Sequence, residues 1–134
     1  ATTEIYTLSL HDALPIFSSG SMITLGMIVA PCAVKSAAEI ACGATQTLLT
    51  RAADVTLKER RRLVLMVRES PLHTGHLRTL TEASEIGAII MPPMPAFYPR
   101  PETIEDMVDH TVGRALDLFG IEHELLKRWT GTPA

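Results

Sequence analysis

The stretch RAADVTLKERRRLVLMVRES, Arg51–Ser70, decides the fold because a charged segment runs directly into five consecutive apolar residues, Leu63–Val67. A short continuous apolar run of this kind predicts a strand buried on both faces, as in a parallel sheet. The pair that follows, Arg68 and Glu69, stands where this strand would leave the sheet. The stretch therefore predicts a core strand with two charged side chains at its carboxyl end.

Two further apolar runs predict additional strands of the same sheet. Met27–Ala30 ends at Pro31, and Ala88–Met91 ends at Pro92. Apolar residues at helical spacing predict the remaining elements, which are three helices: 33–49, broken or bent near Gly43, then 72–86, then about 102–119. The alternation of strands and helices indicates an α/β fold with a parallel sheet and helical crossovers.

Ligands of parallel sheets bind outside the carboxyl ends of the strands. Three segments of this chain occupy such positions and are expected to meet along one edge: 31–36, 68–71 and 92–98. The first leads from a strand into a helix, so its backbone N–H groups favour an anion, to which Ser36 can add a hydroxyl group. A plain helix cap explains the same pattern equally well.

Three basic residues are candidates for binding an anionic ligand. Arg68 carries a planar guanidinium suited to phosphate or to a polar heterocycle, although a buried ion pair with Glu69 would also explain it. Lys58 could supply a second cation, or it could belong with the solvated charges of KERRR. Arg114 is the only base in the acidic C-terminal helix and could instead pair with Asp117.

The segment PPMPAFYPRP, residues 92–101, is rich in proline, which fixes backbone torsions and stiffens the loop. It places two aromatic residues, Phe97 and Tyr98, near the same edge. The loop therefore predicts a rigid wall for a flat or apolar substrate, with a simple hydrophobic plug as the alternative.

Composition and charge indicate one globular domain with a small anionic ligand. The 134 residues are 46% hydrophobic and 20% charged, and the net charge of −3 argues against nucleic acid as the main partner. The charge is unevenly spread, since residues 35–68 hold seven bases and three acids, whereas residues 102–124 hold seven acids and one base. This asymmetry favours an anionic ligand or head-to-tail packing of subunits.

Cysteine and histidine usage argues against disulfide and metal sites. Cys32 and Cys42 form no CxxC motif, which fits a reducing compartment, and no HExxH or Cys/His ligand set is present. No apolar run reaches the roughly 18–20 residues that span a bilayer. The expectation is a cytoplasmic protein without a metal, a membrane anchor or a nucleic-acid partner.

The first sixteen residues, ATTEIYTLSLHDALPI, follow neither a two-residue nor a helical period. They resemble translated adapter sequence, so residues 1–16 are interpreted as a non-native leader and residues 17–134 as the domain. An ordinary N-terminal strand and turn is the alternative interpretation.

Four segments together resemble the UbiX-type flavin prenyltransferase family: APCAVKS, LLTRAADVTLKERRRLVLMVRESPLH, PPMPAFYPRP and MVDHTVGRALDLFGIEH. The resemblance covers about residues 17–129. It implies a flavodoxin-like, Rossmann-like three-layer α/β fold, truncated at the N-terminus, in a homo-oligomer, a dodecamer by family resemblance, with FMN at subunit interfaces. Family members transfer a dimethylallyl group from dimethylallyl phosphate to reduced FMN, without a metal. The prenylated FMN serves UbiD-type decarboxylases in ubiquinone biosynthesis or aromatic acid decarboxylation.

The resemblance also implies roles for individual residues. The residues implied to bind FMN are the strand-to-helix turn and the strand-end arginine: Ala33, Val34, Lys35, Ser36 and Arg68. The residues implied to hold the donor phosphate are Lys58, Tyr98, Arg114 and, from a neighbouring subunit, Arg51. Glu69 is implied to handle a proton, and Trp129 to lie over the allyl group.

Two departures from the family pattern weaken the implied flavin site. Ala33 stands where the family usually has a hydroxyl residue, and the family's N-terminal strand with its Gly/Ser phosphate-binding turn has no counterpart here. The chain as given is therefore expected to fold and to bind flavin more weakly than complete family members, and an inactive fragment is the alternative to an active enzyme. The alternatives are a non-catalytic truncated flavodoxin-like module and an FMN-dependent cysteine decarboxylase, whose PxMNxxMW-like motif is absent from this sequence.

Overall fold

The computed structural model describes residues 19–131. The interpretation of residues 1–16 as a leader therefore lies outside the described residues. Within them the chain forms two compact units, one ending at Pro92 and the other beginning at Pro93. No helix of the described residues combines the length and the apolar character needed to cross a bilayer.

The first unit contains a three-stranded parallel sheet in the order β1 (Gly26–Cys32), β2 (Arg62–Val67), β3 (Ala88–Ile90). This arrangement confirms the parallel sheet predicted from the sequence. Pro31 does not end β1 as predicted, because the register with β2 shifts between Val29 and Cys32. An irregularity of this kind accommodates a proline, which has no N–H to donate to the ladder.

Three helices accompany this sheet: α1 (Val34–Ala41), α2 (Leu48–Lys58) and α3 (Thr74–Glu85). The break predicted near Gly43 is present, since this glycine has a φ of +75°, which ends α1. The break separates two helices, and the second was not predicted beyond residue 49. Thr47 begins α2 with a capping box, in which its side chain accepts the Thr50 N–H and Thr50 bonds back.

The core of the first unit is built around β2. Leu63, Val64 and Leu65 are completely buried, and burial of each such side chain contributes about 1.5–3 kcal/mol. The other buried residues of the apolar cluster come from the two outer strands, the end of β2 and the three helices: Val29, Cys32, Ala37, Ile40, Ala53, Val67, Ala83 and Ala88. The prediction of a buried central strand is confirmed.

The second unit consists of the proline-rich loop, helix α4 (Ile104–Asp117) and a tail, residues 121–131, without helix or strand. Thr103 caps α4, and its side chain accepts the N–H of Asp106 at 3.0 Å. The Asp106 carboxylate in turn accepts the N–H groups of Glu102 and Thr103, at 2.9 and 3.1 Å. The predicted helix is thus confirmed with tighter bounds, and Gly120, at a φ of +67°, follows its end.

Candidate functional site

The carboxyl ends of β1 and β2 adjoin, as predicted for two of the three segments. The backbone N–H of Arg68 donates to the carbonyl oxygen of Cys32 at 3.3 Å. This bond brings the first turn of α1 and the Arg68–Glu69 pair to the same edge of the sheet. The third segment, residues 92–98, crosses the boundary between the two units.

The start of α1 fits an anionic group. Ala33 is its N-cap residue, and its side chain makes no cap hydrogen bond. The first turn of α1 also contains no acidic residue. The N–H groups of Val34, Lys35 and Ser36 belong to this turn, where the helix dipole favours negative charge. Because Ala33 cannot cap the helix, an oxygen-rich ligand can take that position.

Arg68 and Glu69 are both exposed at the end of β2. The Glu69 carboxylate accepts the N–H of Ser70 at 3.1 Å. Within residues 19–131 Arg68 forms no ion pair with Glu69, so the buried pair considered from the sequence is not found. Arg68 is thus an exposed base at the end of β2, and its backbone is bonded to the residue that precedes the N-cap of α1.

Lys58 lies at the other end of the strand. It is the last residue of α2 and precedes β2, whereas Arg68 follows β2. Six residues of strand span roughly 20 Å, so the structure does not bring Lys58 beside Arg68 within one copy of the chain. Lys58 pairs with Glu59, and this contact lowers the pKa of the Glu59 carboxyl.

Arg51 lies on the exposed side of α2, two turns before Lys58. Its guanidinium pairs with Asp54 at 3.3 Å. An exposed pair of this kind contributes little to stability, roughly 0–1 kcal/mol. Arg51 is therefore held loosely at the surface, where a ligand phosphate could compete with Asp54.

In the second unit, the proline-rich loop brings Tyr98 to α4. The Tyr98 hydroxyl lies 3.5 Å from Nε2 of His110, and the two rings meet edge to face at 5.7 Å. Arg114 follows His110 by one helical turn, so Tyr98 and Arg114 lie at the same face of α4. His110 was not among the predicted site residues, and its spacing of four residues from Arg114 was the available signal.

Arg114 and Trp129 are both exposed, at 55% for the Arg114 side chain and 73% for Trp129. Nη1 of Arg114 donates to Oδ2 of Asp117 at 3.2 Å. The pairing with Asp117 considered from the sequence is therefore present. It leaves more than half of the Arg114 side chain accessible to a ligand.

Cys32 follows the bulge of β1 beside this edge but is not suited to nucleophilic chemistry. It is 1% exposed, and burial raises the pKa of its thiol. A protonated thiol is a poor nucleophile at neutral pH. Residues 19–131 also contain no group of three or more His, Cys, Asp or Glu side chains arranged to hold a metal ion.

The sequence matches known flavoproteins along most of its length. A profile of the family described as Flavoprotein matches residues 13–116. The flavin prenyltransferase UbiX of Escherichia coli is 56% identical over 126 residues, which cover 90% of this chain and 67% of that protein. A probable UbiX-like flavin prenyltransferase of Bacillus subtilis is also 56% identical, and the match covers 94% of this chain and 62% of that protein.

Solved structures agree with these relatives. A UbiX crystallised with FMN and dimethylallyl pyrophosphate has a TM-score of 0.84 and 50% identity, covering 87% of this chain and 62% of that chain. A dodecameric FMN-dependent UbiX-like decarboxylase from Escherichia coli has a TM-score of 0.84 and 52% identity, covering 90% of this chain and 65% of that chain. These matches confirm the predicted flavodoxin-like α/β fold.

The chain thus spans about two thirds of the length of the curated relatives it matches. Neither alternative considered from the sequence, a non-catalytic module or a cysteine decarboxylase, is supported by the names of the curated relatives. The protein belongs to the flavoprotein family and, within it, to the UbiX flavin prenyltransferases.

Proposed function

We propose that the protein transfers a dimethylallyl group from dimethylallyl phosphate to reduced FMN, which yields prenylated FMN. The observation that carries this proposal is the position of Arg68 beside the uncapped start of α1, joined through the Cys32–Arg68 backbone bond. The names of the curated relatives and the FMN and dimethylallyl pyrophosphate of the 50%-identical structure support the same reaction.

FMN binding is assigned to the edge formed by β1 and β2. The backbone of Ala33 to Ser36 offers N–H groups to polar oxygens of the cofactor, and the guanidinium of Arg68 adds a fixed positive charge. Lys35 is exposed in the same turn and supplies a further cation. Reduced FMN, when bound, supplies the electron-rich ring atoms that accept the allyl group.

The donor phosphate is assigned to Tyr98 and Arg114. Breaking an allylic C–O bond leaves negative charge on the departing phosphate, and positioned donors stabilise that charge where it develops. The hydroxyl of Tyr98 and the guanidinium of Arg114 share one face of α4 and can act on the same oxyanion. The exposed indole of Trp129 can shelter the complementary allyl cation.

Lys58 and Arg51 are assigned to the donor phosphate from a different copy of the chain. Lys58 is separated from Arg68 by the full length of β2, so one copy cannot offer both cations to one reaction centre, where the donor and the flavin must meet. The 52%-identical dodecameric protein supports an assembly in which copies share sites. We therefore propose a homo-oligomer with the flavin near subunit interfaces.

Glu69 is assigned to proton handling. One oxygen of its carboxylate accepts the Ser70 N–H. The second oxygen can accept the proton that is released as the flavin ring is alkylated. Its position next to Arg68, which is proposed to bind the flavin, supports this assignment.

The product is proposed to serve a UbiD-type decarboxylase in ubiquinone biosynthesis or in aromatic acid decarboxylation. The cytoplasm is the proposed location of the reaction. Both proposals rest on the family resemblance and on the same prenyl transfer.

The proposed function is tested by phosphate release under anaerobic conditions. The protein is incubated with dimethylallyl phosphate, with and without reduced FMN, and inorganic phosphate is measured over time. Release that requires both compounds is expected. Release at the same rate without FMN would mean phosphatase activity. The proposal would be refuted if neither phosphate from dimethylallyl phosphate nor pyrophosphate from the diphosphate donor were released.

A further inference from the structure

The Asp117 carboxylate, at the end of α4, gathers three side chains. Oδ2 accepts hydrogen bonds from Nη1 of Arg114 at 3.2 Å and from Nη1 of Arg128 at 3.1 Å. Oδ1 accepts from Nη2 of Arg128 at 2.8 Å and contacts Nε2 of His123 at 2.8 Å. One carboxylate therefore connects a helix residue with two residues of the tail.

The protonation of His123 follows from its two partners. Nδ1 of His123 accepts the N–H of Leu125 at 3.1 Å, so Nδ1 carries no proton. The neutral ring then carries its proton on Nε2, which donates to Asp117. The side chain of His123 is 7% exposed and that of Asp117 is 17% exposed, so this hydrogen bond is largely withdrawn from water.

Close packing against α4 fixes the same part of the tail. A Cβ atom at Gly113 would lie 2.7 Å from Cε1 of His123 and 2.8 Å from Cδ2 of Leu126. These distances are shorter than side-chain carbon atoms tolerate, so the absence of a side chain at Gly113 allows the tail to approach the helix. The tail has no helix or strand of its own, and its order depends on these contacts.

Asp117 and Arg128 form an ion pair in which the carboxylate stays ionised. The hydrogen bond from Arg128 is the largest influence that holds the pKa of Asp117 well below its usual range, with His123 adding to it. The bidentate fork of Arg128 on one carboxylate is a strong and geometrically specific contact. Without the carboxylate, Arg114 and Arg128 would repel each other.

We propose that Asp117 is a positioning residue that clasps the tail against α4 and thereby orients both Arg114 and Trp129. Trp129 follows Arg128 directly, so its range of positions is limited by the Arg128–Asp117 contact. Arg114 donates to Oδ2 of the same carboxylate, an oxygen that it shares with Arg128. The roles of Arg114 and Trp129 in the reaction rest on the proposed function, whereas the clasp itself does not.

The contacts of Asp117 with Arg128 and with Arg114 predict different kinetic effects. Arg128→Gln frees the part of the tail that carries Trp129 but keeps the Arg114–Asp117 pair, so kcat falls while KM for the donor changes little. Asp117→Asn releases both, so KM for the donor rises as well. Misplacing a group by about 1 Å costs up to roughly 10²-fold in rate, and a loss between tenfold and that value is expected in kcat for both variants.

The clasp is tested without activity through Trp129, the one tryptophan among the 134 residues. Its fluorescence anisotropy and its quenching by acrylamide are measured in the wild-type chain and in both variants. Lower anisotropy and stronger quenching are expected for Arg128→Gln and Asp117→Asn, with Arg128→Lys in between. Lys127→Gln, next to the clasp, is the matched control and should resemble wild type.

The outcomes separate the clasp from the reaction. Unchanged anisotropy in both variants would overturn the clasp. If the anisotropy of Trp129 falls in both variants while kcat and KM stay unchanged, Asp117 holds the tail but does not orient the reacting groups. That result would also overturn the proposal. If the wild-type protein makes no prenylated flavin, the proposed function fails, and the anisotropy comparison still decides whether Asp117 holds the tail.

Discussion

The hydroxyl of Tyr98 lies 3.5 Å from Nε2 of His110, and this contact fixes where the proline-rich loop meets helix α4. Arg114 stands one turn further along the same helix face. The loop therefore brings a phenol to the face of α4 that carries an exposed guanidinium. A phosphate bound there would meet both groups.

Removal of the Tyr98 hydroxyl is expected to slow prenyl transfer. Tyr98→Phe keeps the ring and its packing against His110 but removes the donor to the developing phosphate anion. Loss of one such donor costs on the order of 10²-fold in kcat. Steady-state phosphate release measures the effect, and an unchanged kcat would remove Tyr98 from the phosphate site.

The separation of Lys58 from Arg68 along β2 predicts complementation between subunits. Lys58→Ala and Arg68→Gln chains should each lose roughly 10²-fold in activity. Mixed assemblies, prepared by unfolding and refolding the two chains together, should regain activity because some sites combine intact residues from different copies. Arg62→Ala, at the exposed start of β2, is the control and should stay active.

No gain on mixing would contradict the proposal that Lys58 acts from another copy. Separate refolding of each variant shows whether the procedure itself changes activity. Size-exclusion chromatography verifies that the mixed chains assemble to the same size.

Gly113→Ala should destabilise the protein even though helix propensity predicts the opposite. Propensity alone favours alanine over glycine inside a helix by about 1 kcal/mol. The new Cβ would lie 2.7 Å from the ring of His123, so the tail must move away. A lower midpoint of denaturant unfolding is expected, with Thr111→Ala on the same helix as the control, and a higher midpoint would contradict the packing.

The start of α4 should depend on pH through Asp106. Hydrogen bonds from the N–H groups of Glu102 and then Thr103 lower the pKa of Asp106 in the folded protein. The carboxylate therefore stabilises the fold above the ordinary aspartate pKa of about 4, and this stability is lost as pH falls through the lower folded value. Thermal unfolding of wild type and Asp106→Asn should differ at neutral pH and converge in acid.

The two cysteines should react at different rates. Cys42 is exposed, whereas Cys32 is 1% exposed and its thiol pKa is raised by burial. Iodoacetamide at neutral pH should modify Cys42 in the folded protein and Cys32 only after unfolding. Peptide mass spectrometry measures both sites, and equal rates would contradict the burial of Cys32.

The central strand was predictable because its signal is local. Five apolar residues between charged neighbours leave few alternatives to a buried strand, and β2 is found at Arg62–Val67. Helix α2 was missed beyond residue 49 because its sequence mixes small, polar and charged residues. Its start depends on reciprocal hydrogen bonds between Thr47 and Thr50, which hydrophobic spacing does not reveal.

The candidate site was predictable only in part. Arg68 at a strand end follows from the strand itself, and the pair of Tyr98 and Arg114 followed from family resemblance. The position of Lys58 was not foreseen, although it precedes β2 and Arg68 follows it. Of the Asp117 cluster, only the pair with Arg114 was considered from the sequence. The contact of Arg128 could not be predicted, since this residue lies eleven positions from Asp117 in a tail without helix or strand.

The mass of the flavin recovered from the reaction tests prenyl transfer most directly. Reduced FMN, dimethylallyl phosphate and the protein are combined without oxygen, and the flavin is extracted for mass spectrometry. A flavin heavier by one dimethylallyl group is expected with the wild-type protein and the donor together. Recovery of unmodified FMN alone, from protein that demonstrably binds flavin and donor, would contradict the proposed reaction.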